Sequence, residues 1–318
     1  MYYIKCGTCF NSITFKNILA MTKVDNLRIA IIQARMNSLR FPGKVLKKIR
    51  NIPNIIHLLN RVKKAKFVDE IVLATSTNPL DDVLSDTVKS YNYKIFRGSE
   101  KNVLLRYINC AQKYNGKTII RITGDCPLID PEIIDKTVEL FVQQEVDYCS
   151  NINPPTYPDG LDVEVVKLDC LKKSYLKNKN ENNREHVTKF IRESDFFTKA
   201  NLYNKENFSK LRWTLDEQED FNVISSVYKN FYPNLNFKMQ DILKLMKKKP
   251  HLFNENIHIK RNEGEIMSEG QKLWTRARKI IPNGNSLLSK NPEMFLPNFW
   301  PSYFSKAKGC QIWDLEGK

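Results

Sequence analysis

The amino-acid sequence predicts an α/β fold, a mainly parallel sheet flanked by helices, carrying a truncated C-terminal appendage. Three observations lead there. From Arg28 to Asn151, short apolar runs rich in β-branched residues alternate with amphipathic stretches of helical length, the order that parallel strands and their crossover helices require. The chain has 318 residues and 42% hydrophobic content, enough for one large core. Its character then changes twice, at a proline-rich stretch after Asn151 and again near Glu265.

Taken in order, residues 1–26 show no hydrophobic period, and Met21 stands shortly before the first convincing strand, so this segment reads as a leader or an upstream start. RIAIIQA (28–34) reads as a buried strand, 52–65 as a helix, EIVLATS (70–76) as a strand and 79–90 as a helix. The alternation continues with strand YKIFRG (93–98), helix 102–114, strand TIIRITG (118–124), helix 131–144 and strand VDYCSN (146–151). Strands this apolar need helices on both faces of the sheet, and ligands of such sheets sit at the carboxyl ends of the strands. Beyond Pro154, Pro155 and Pro158 come a strand, LDVEVVKL (161–168), and helical stretches at 171–177 and 184–193, expected to form an acceptor-side subregion. LRWTLDEQEDF (211–221) returns toward the core, and helices 221–231 and 239–248 close a domain spanning 27–250. Lys247–Lys249 before Pro250 reads as a helix stop with a solvated charge run. Residues 251–264 read as a linker. In 265–318 an amphipathic helix, SEGQKLWTRARKIIPNG, and a strand, GCQIWDLEGK, read as the cut opening of a second domain.

The formal charge of +16 fits an anionic partner. Lysines are abundant even where no motif occurs, so the charge reads as a composition bias over solvated faces, and nucleic acid is not an expected partner. Seven cysteines, at 6, 9, 110, 126, 149, 170 and 310, are odd in number and scattered, with no secretory signal before them; that pattern fits reduced thiols and a cytoplasmic location. Cys6 and Cys9 form a lone CxxC without the second pair a zinc site needs. No apolar run is long enough to span a bilayer, which argues against integral membrane association.

Three segments carry chemistry. In QARMNSLRFPGK (33–44), Arg35, Arg40 and Lys44 share a strand-end loop with Ser38, Pro42 and Gly43. Such a loop can wrap a triphosphate, with backbone amides approaching at Gly and cations neutralising the phosphates; a plain basic surface loop has the same composition. It is not a Walker loop, since Val45 follows Lys44 where Ser or Thr is required. In RITGDCPLID (121–130), Asp125 follows a buried strand and is placed to hold magnesium, which takes one or two carboxylates plus phosphate oxygens. Asp130, just before Pro131, reads instead as a helix cap. In RWTLDEQEDF (212–221), Asp216 offers a second carboxylate; Glu217 and Glu219 suit a helix N-terminus, and Asp220 suits either part.

With IVLATSTNPLDD, FRGSEKNVLLRY, DYCSN, YPDGLDVEV and REHVTKFI between and around them, these segments resemble, in order and over residues 28 to about 245, the cytidylyltransferase family that includes CMP-sugar-acid synthetases. The resemblance is to its spore-coat polysaccharide biosynthesis branch. It implies a nucleotide-diphospho-sugar transferase (Rossmann-like) fold and an enzyme that joins a sugar or sugar acid to CTP with magnesium, and it leaves room for a homodimer. The alternatives are a glycosyltransferase of the same fold, or a PLP aminotransferase or aminomutase activity that belongs to a full-length fusion and is absent from this chain. Carried over position by position, Arg35, Arg40 and Lys44 would bind the triphosphate, Gln33, Ala34 and Ser38 would also bind the nucleotide, and Ala74, Thr75, Arg97 and Gly98 would lie near base and ribose. Asp125 and Asp216 would hold magnesium and, with Arg35 and Lys44, carry catalysis. Asn151, Asp159, Gly160, Asp162, Glu164, Glu185 and His186 would line the acceptor side. Asp162 and Glu164 alternate along a strand and so share a face, as a polar pocket or a solvated strand edge would have it; His186 reads equally as a helix-face residue bonded to a carboxylate. The chain departs from the branch at Met36-Asn37-Ser38-Leu39 and at Arg50-Asn51-Ile52-Pro53, both in places where glycine is more usual. LWTRARKIIPNGNS and KGCQIWDLEGK resemble the beginning of class III aminotransferases of the glutamate-1-semialdehyde aminomutase type. The cofactor lysine of that family lies far downstream of such a start, so PLP is not expected on this chain.

Overall fold

A computed structural model describes residues 26–38, 40–177, 184–259, 261, 269–284, 291, 303–315 and 317. The leader reading of 1–26 and the Cys6–Cys9 pair therefore fall, apart from Asn26, outside the described residues.

The architecture is the one the alternation predicts. Strands β1 (Arg28–Gln33), β4 (Glu70–Ser76), β5 (Lys94–Gly98), β6 (Thr118–Thr123), β7 (Tyr148–Ser150), β8 (Glu164–Lys167) and β9 (Lys199–Asn201) form one seven-stranded sheet in the order β5-β4-β1-β6-β8-β7-β9. The β1, β4, β5 and β6 ladders are parallel; β8 runs antiparallel to both β6 and β7. Period-two alternation divides the core. Ala30 and Ile32 of β1 face one cluster, and Ile29 and Ile31 face another across the sheet, all at 0% exposure. The first cluster takes the buried faces of α1 (Asn54–Val62), α4 (Pro131–Gln143), α7 (Gln218–Phe231) and α8 (Met239–Lys248). The second takes α3 (Val103–Lys113), α5 (Leu168–Lys177) and α6 (Lys189–Glu193). Helix α2 (Asp82–Ser90) packs beside β5 and gives Leu84 and Val88 to the first cluster.

Boundaries shift where side chains compete with the period. The helix expected from residue 52 starts at Asn54, because Lys48–Ile49 (β2) and Ile52–Pro53 (β3) pair as a hairpin. Its turn residues Arg50 and Asn51 have φ of 49° and 66°, the left-handed pair that a tight hairpin demands. The His57 ring reaches the Ile49 carbonyl at 3.0 Å and ties the hairpin to α1. The strand expected over 161–168 is regular only in β8, because the Asn151 side chain takes the Leu161 carbonyl and the Val163 amide before the ladder begins. The helix expected over 184–193 is confined to α6.

Asp130 caps α4 by accepting from the Glu132 amide, with Pro131 at the first helical position. In the C-terminal stretch, α9 (Glu269–Ile280) forms where the amphipathic pattern lies, and β11 (Gln311–Asp314) pairs antiparallel with the unanticipated β10 (Phe304–Lys308). Cys110, Cys126, Cys149 and Cys170 are buried free thiols, and Cys310 is an exposed one. Among the described residues no helix is long and apolar enough to cross a membrane.

Candidate active site

Strand order reverses about β1: the chain proceeds to β4 and β5 on one side, then places β6 on the other. The loops leaving β1 and β6 therefore diverge above a crevice, where open α/β sheets bind ligands. They separate from very close quarters. The Gly124 amide donates to the Gln33 carbonyl at 2.8 Å, and a Cβ at Gly124 would stand 2.7 Å from that of Ala34. A cavity of about 670 Å³ opens there, a size that suits a nucleotide with its acceptor.

The β1 loop is folded on itself. The Met36 carbonyl accepts the Ser38 and Gly43 amides, Asp81 holds the Met36 amide at 2.7 Å, and Gly43 at φ 69° turns the chain into Lys44. Lys44 then projects its ammonium between two carboxylates, 2.7 Å from Asp216 and 3.4 Å from Asp125. Arg40 lies 2.9 Å from the same Asp216. Asp125 and Asp216 meet because backbone joins their loops: the Asp125 carbonyl accepts the Leu215 amide at 2.8 Å and the Thr214 hydroxyl at 3.2 Å. Asp220 acts below them, as a structural residue, taking the Asp216 and Glu217 amides and both arms of Arg212.

Burial alone would lower the Lys44 pKa, but Asp216 and then Asp125 outweigh it and raise it. Burial likewise opposes ionisation of Asp216, yet Lys44, Arg40 and Arg212 hold it well below the usual carboxylate range. Two carboxylates thus already share one cation, and both fit the donor set magnesium prefers, with room left for phosphate oxygens and water. Among the described residues no cluster of three or more metal-ligating side chains is found.

The far side of the cavity carries carboxylates paired with guanidinium groups. Glu164 accepts from Arg121, from the Tyr148 hydroxyl at 2.7 Å and from the Thr188 hydroxyl at 2.5 Å. Burial would raise its pKa; Arg121 and Arg192 more than reverse that. Asp159 lies 3.4 Å from Arg212. Burial and then the like charge of Asp162 push Asp159 up to about 7, against Arg261 and Arg212. Glu185 reaches back to Arg35 at 3.1 Å, and His186 lines the cavity from the turn ahead of α6 rather than from a helix face.

Gln33, Ala34, Arg35, Ser38, Arg40, Lys44, Asp125, Asp159, Asp162, Glu164, Glu185, His186 and Asp216 all line this one cavity. Six other sequence candidates are not among its lining residues. Ala74 and Thr75 are fully buried in β4. Arg97 spends its guanidinium on the Ser76 and Asn78 carbonyls and on Asp82. Gly98 leaves room for Arg106, since a Cβ there would stand 3.0 Å from the Arg106 Cγ. Asn151 bridges backbone, and Gly160 (φ 97°) lets its loop pass Trp213, whose carbonyl would be 2.6 Å from an added Cβ. Arg106, Arg121, Arg192, Arg212 and Arg261 line the cavity without having been singled out from sequence. For Arg121 and Arg212 a signal existed, a charged residue inside or against an otherwise apolar strand run, which in a buried setting must be paired.

Residues 29–259 match the family model described as cytidylyltransferase. An uncharacterized protein of Methanocaldococcus jannaschii is 36% identical over 244 residues, covering 76% of this chain and 99% of that protein. The spore coat polysaccharide biosynthesis protein SpsF of Bacillus subtilis is 32% identical over 233 residues, covering 71% and 96%. Among solved structures, a cytidylyltransferase from Leptospira borgpetersenii aligns with a TM-score of 0.69 at 31% identity, over 72% of this chain and 97% of that one.

Proposed function

Because the chain belongs to the cytidylyltransferase family, we propose that it activates a sugar or sugar acid by joining it to the α-phosphate of CTP, releasing pyrophosphate. The observation that carries this reading is the convergence of Arg40 and Lys44, from the β1 loop, on the Asp125–Asp216 pair in a nucleotide-sized cavity. Similarity to a polysaccharide biosynthesis protein supports a sugar as acceptor.

In this reading an acceptor hydroxyl oxygen bonds to the α-phosphorus while the bond from that phosphorus to the bridging oxygen breaks. Pyrophosphate leaves with the electron pair, and the hydroxyl proton passes to solvent water. Arg35, Arg40 and Lys44 neutralise the triphosphate and the charge growing on the departing group, and they act in a partly dry site where each contact is strengthened. Magnesium would be held by Asp125 and Asp216 and would supply Lewis-acid stabilisation of the phosphate oxygens. The carboxylate–arginine pairs of the far wall orient the acceptor so that its hydroxyl lies in line with the leaving group.

The test is pyrophosphate release by the purified chain with magnesium and each nucleoside triphosphate, against D-glucose, D-mannose, N-acetylmannosamine and N-acetylneuraminate. Release with CTP and one acceptor, abolished in Asp125→Ala, is the expected result. A folded protein that releases nothing from CTP with any acceptor, while hydrolysing or consuming a nucleotide sugar, would point to a glycosyltransferase instead.

A further inference from the structure

The acceptor-side carboxylates Glu164, Asp159 and Asp162 each lie against a guanidinium. Glu164 has Arg121, and Asp159 has Arg212, both supplied by segments inside the sheet domain. Asp162 has Arg261, whose Nη2 lies 2.6 Å from Oδ1 while Nη1 donates to the Tyr157 carbonyl at 3.1 Å. Arg261 lies past residue 259, where the match to the family ends. The stretch at the end of that match therefore puts a cation into the site.

The three pairs differ in what they can still offer. The Glu164 side chain is 3% exposed and its oxygens already accept from Arg121, Tyr148 and Thr188. The Asp159 side chain is 10% exposed. That of Asp162 is 28% exposed, and among the described residues its Oδ2 has no hydrogen-bond partner. Arg261 uses two of its donors on Asp162 and Tyr157 and lines the cavity. A carboxylate with a free oxygen beside a guanidinium with free N–H groups accepts from one hydroxyl and donates to the next, the recognition a vicinal diol needs. A carboxylate alone would accept from a hydroxyl but would also repel the phosphates of a bound nucleotide.

We propose that Arg261, paired with Asp162, is a specificity-determining residue for the sugar, contributed by the stretch at the end of the family match, and that it binds a hydroxyl pair of the acceptor. The assignment rests on the CTP-dependent reading of the site. Its test uses the full chain and whichever of the four sugars above the wild type turns over. In Arg261→Ala the acceptor KM should rise by about tenfold or more, as expected for loss of a charge-assisted bond, with the KM for CTP within about twofold of wild type. Arg261→Lys keeps the charge without the fork and should recover part of the loss. Unchanged acceptor KM in Arg261→Ala, or a joint loss of acceptor and CTP affinity accompanied by a lower Tm, would overturn the assignment while leaving the reaction in place. No CTP turnover by the wild type overturns the reading of the site, and this assignment with it.

Discussion

Lys44 and Asp159 show how single residues are tuned by what surrounds them. Lys44 is held charged between Asp216 and Asp125, so a bound triphosphate meets a fixed ammonium rather than a mobile one. Lys44→Ala should lower turnover by about ten- to a hundredfold, the worth of a charge-assisted contact in the transition state, as measured by kcat for pyrophosphate release. Asp159 is shifted the other way, to about 7, by burial and by Asp162. In the proposed reaction the ionised form of Asp159 is the stronger acceptor for a sugar hydroxyl, so kcat/KM should climb as pH rises through about 7, and Asp159→Asn should flatten that limb. Stability has the opposite sign. A carboxyl whose pKa is higher folded than unfolded binds its proton more tightly in the fold, so unfolding free energy falls as pH rises from about 4 to about 7. Urea titrations across that window should show less of this downward slope in Asp159→Asn than in wild type.

Between residue and fold stand the loops and ladders that bring distant carboxylates together. The loop after β6 and the segment before α7 are joined through the Asp125 carbonyl, and the Gly160 loop is laid against the same segment through the Asp159 amide, which donates to the Leu211 carbonyl at 2.9 Å, and the Trp213 amide, which donates to the Asp159 carbonyl at 2.7 Å. No side chain fits there: an added Cβ at Gly160 would stand 2.5 Å from the Thr214 nitrogen at a φ of 97°. Gly160→Ala should cost about 1–3 kcal/mol by urea unfolding. It should also lower activity beyond its effect on folding, because the displaced segment carries Asp216. Arg212 binds the same elements from beneath, through Asp220, Asp159 and Asp216.

At the scale of the whole molecule, the net charge of +16 does not describe the site. There, cations and carboxylates are interleaved: Arg35 with Glu185, Arg40 and Lys44 with Asp216, Arg121 with Glu164, Arg261 with Asp162. The C-terminal helix α9 adds Lys279, 2.8 Å from Glu217 next to Asp216. A ligand that brings its own phosphates and a divalent cation satisfies both signs at once, whereas a bare polyanion does not. CTP with magnesium should therefore raise the Tm, by an amount corresponding to about 2.7 kcal/mol at a hundredfold excess over Kd. Removing magnesium with EDTA should abolish most of that shift in a thermal melt.

The order of strands and helices was legible because hydrophobic periodicity is a local property: a buried strand or an amphipathic helix declares itself within its own residues. The strand-end loops were legible for the same reason, so Arg35, Lys44, Asp125 and Asp216 stand out before any fold is known. The short β2–β3 hairpin, the strand β9 and the truncated β8 were not, since each depends on a partner or on a competing side chain such as Asn151. Nor could sequence alone separate Asp220, which supports backbone, from Asp216, which faces the cavity four positions earlier. It could not separate Arg97, spent on carbonyls, from Arg106, Arg121 and Arg261, which reach the site. Composition and period determined which segments are buried and which loops carry charge. The tertiary structure decided which charges meet, because a charge pair joins residues as far apart as Lys44 and Asp216, and no local pattern encodes a distance across the sheet.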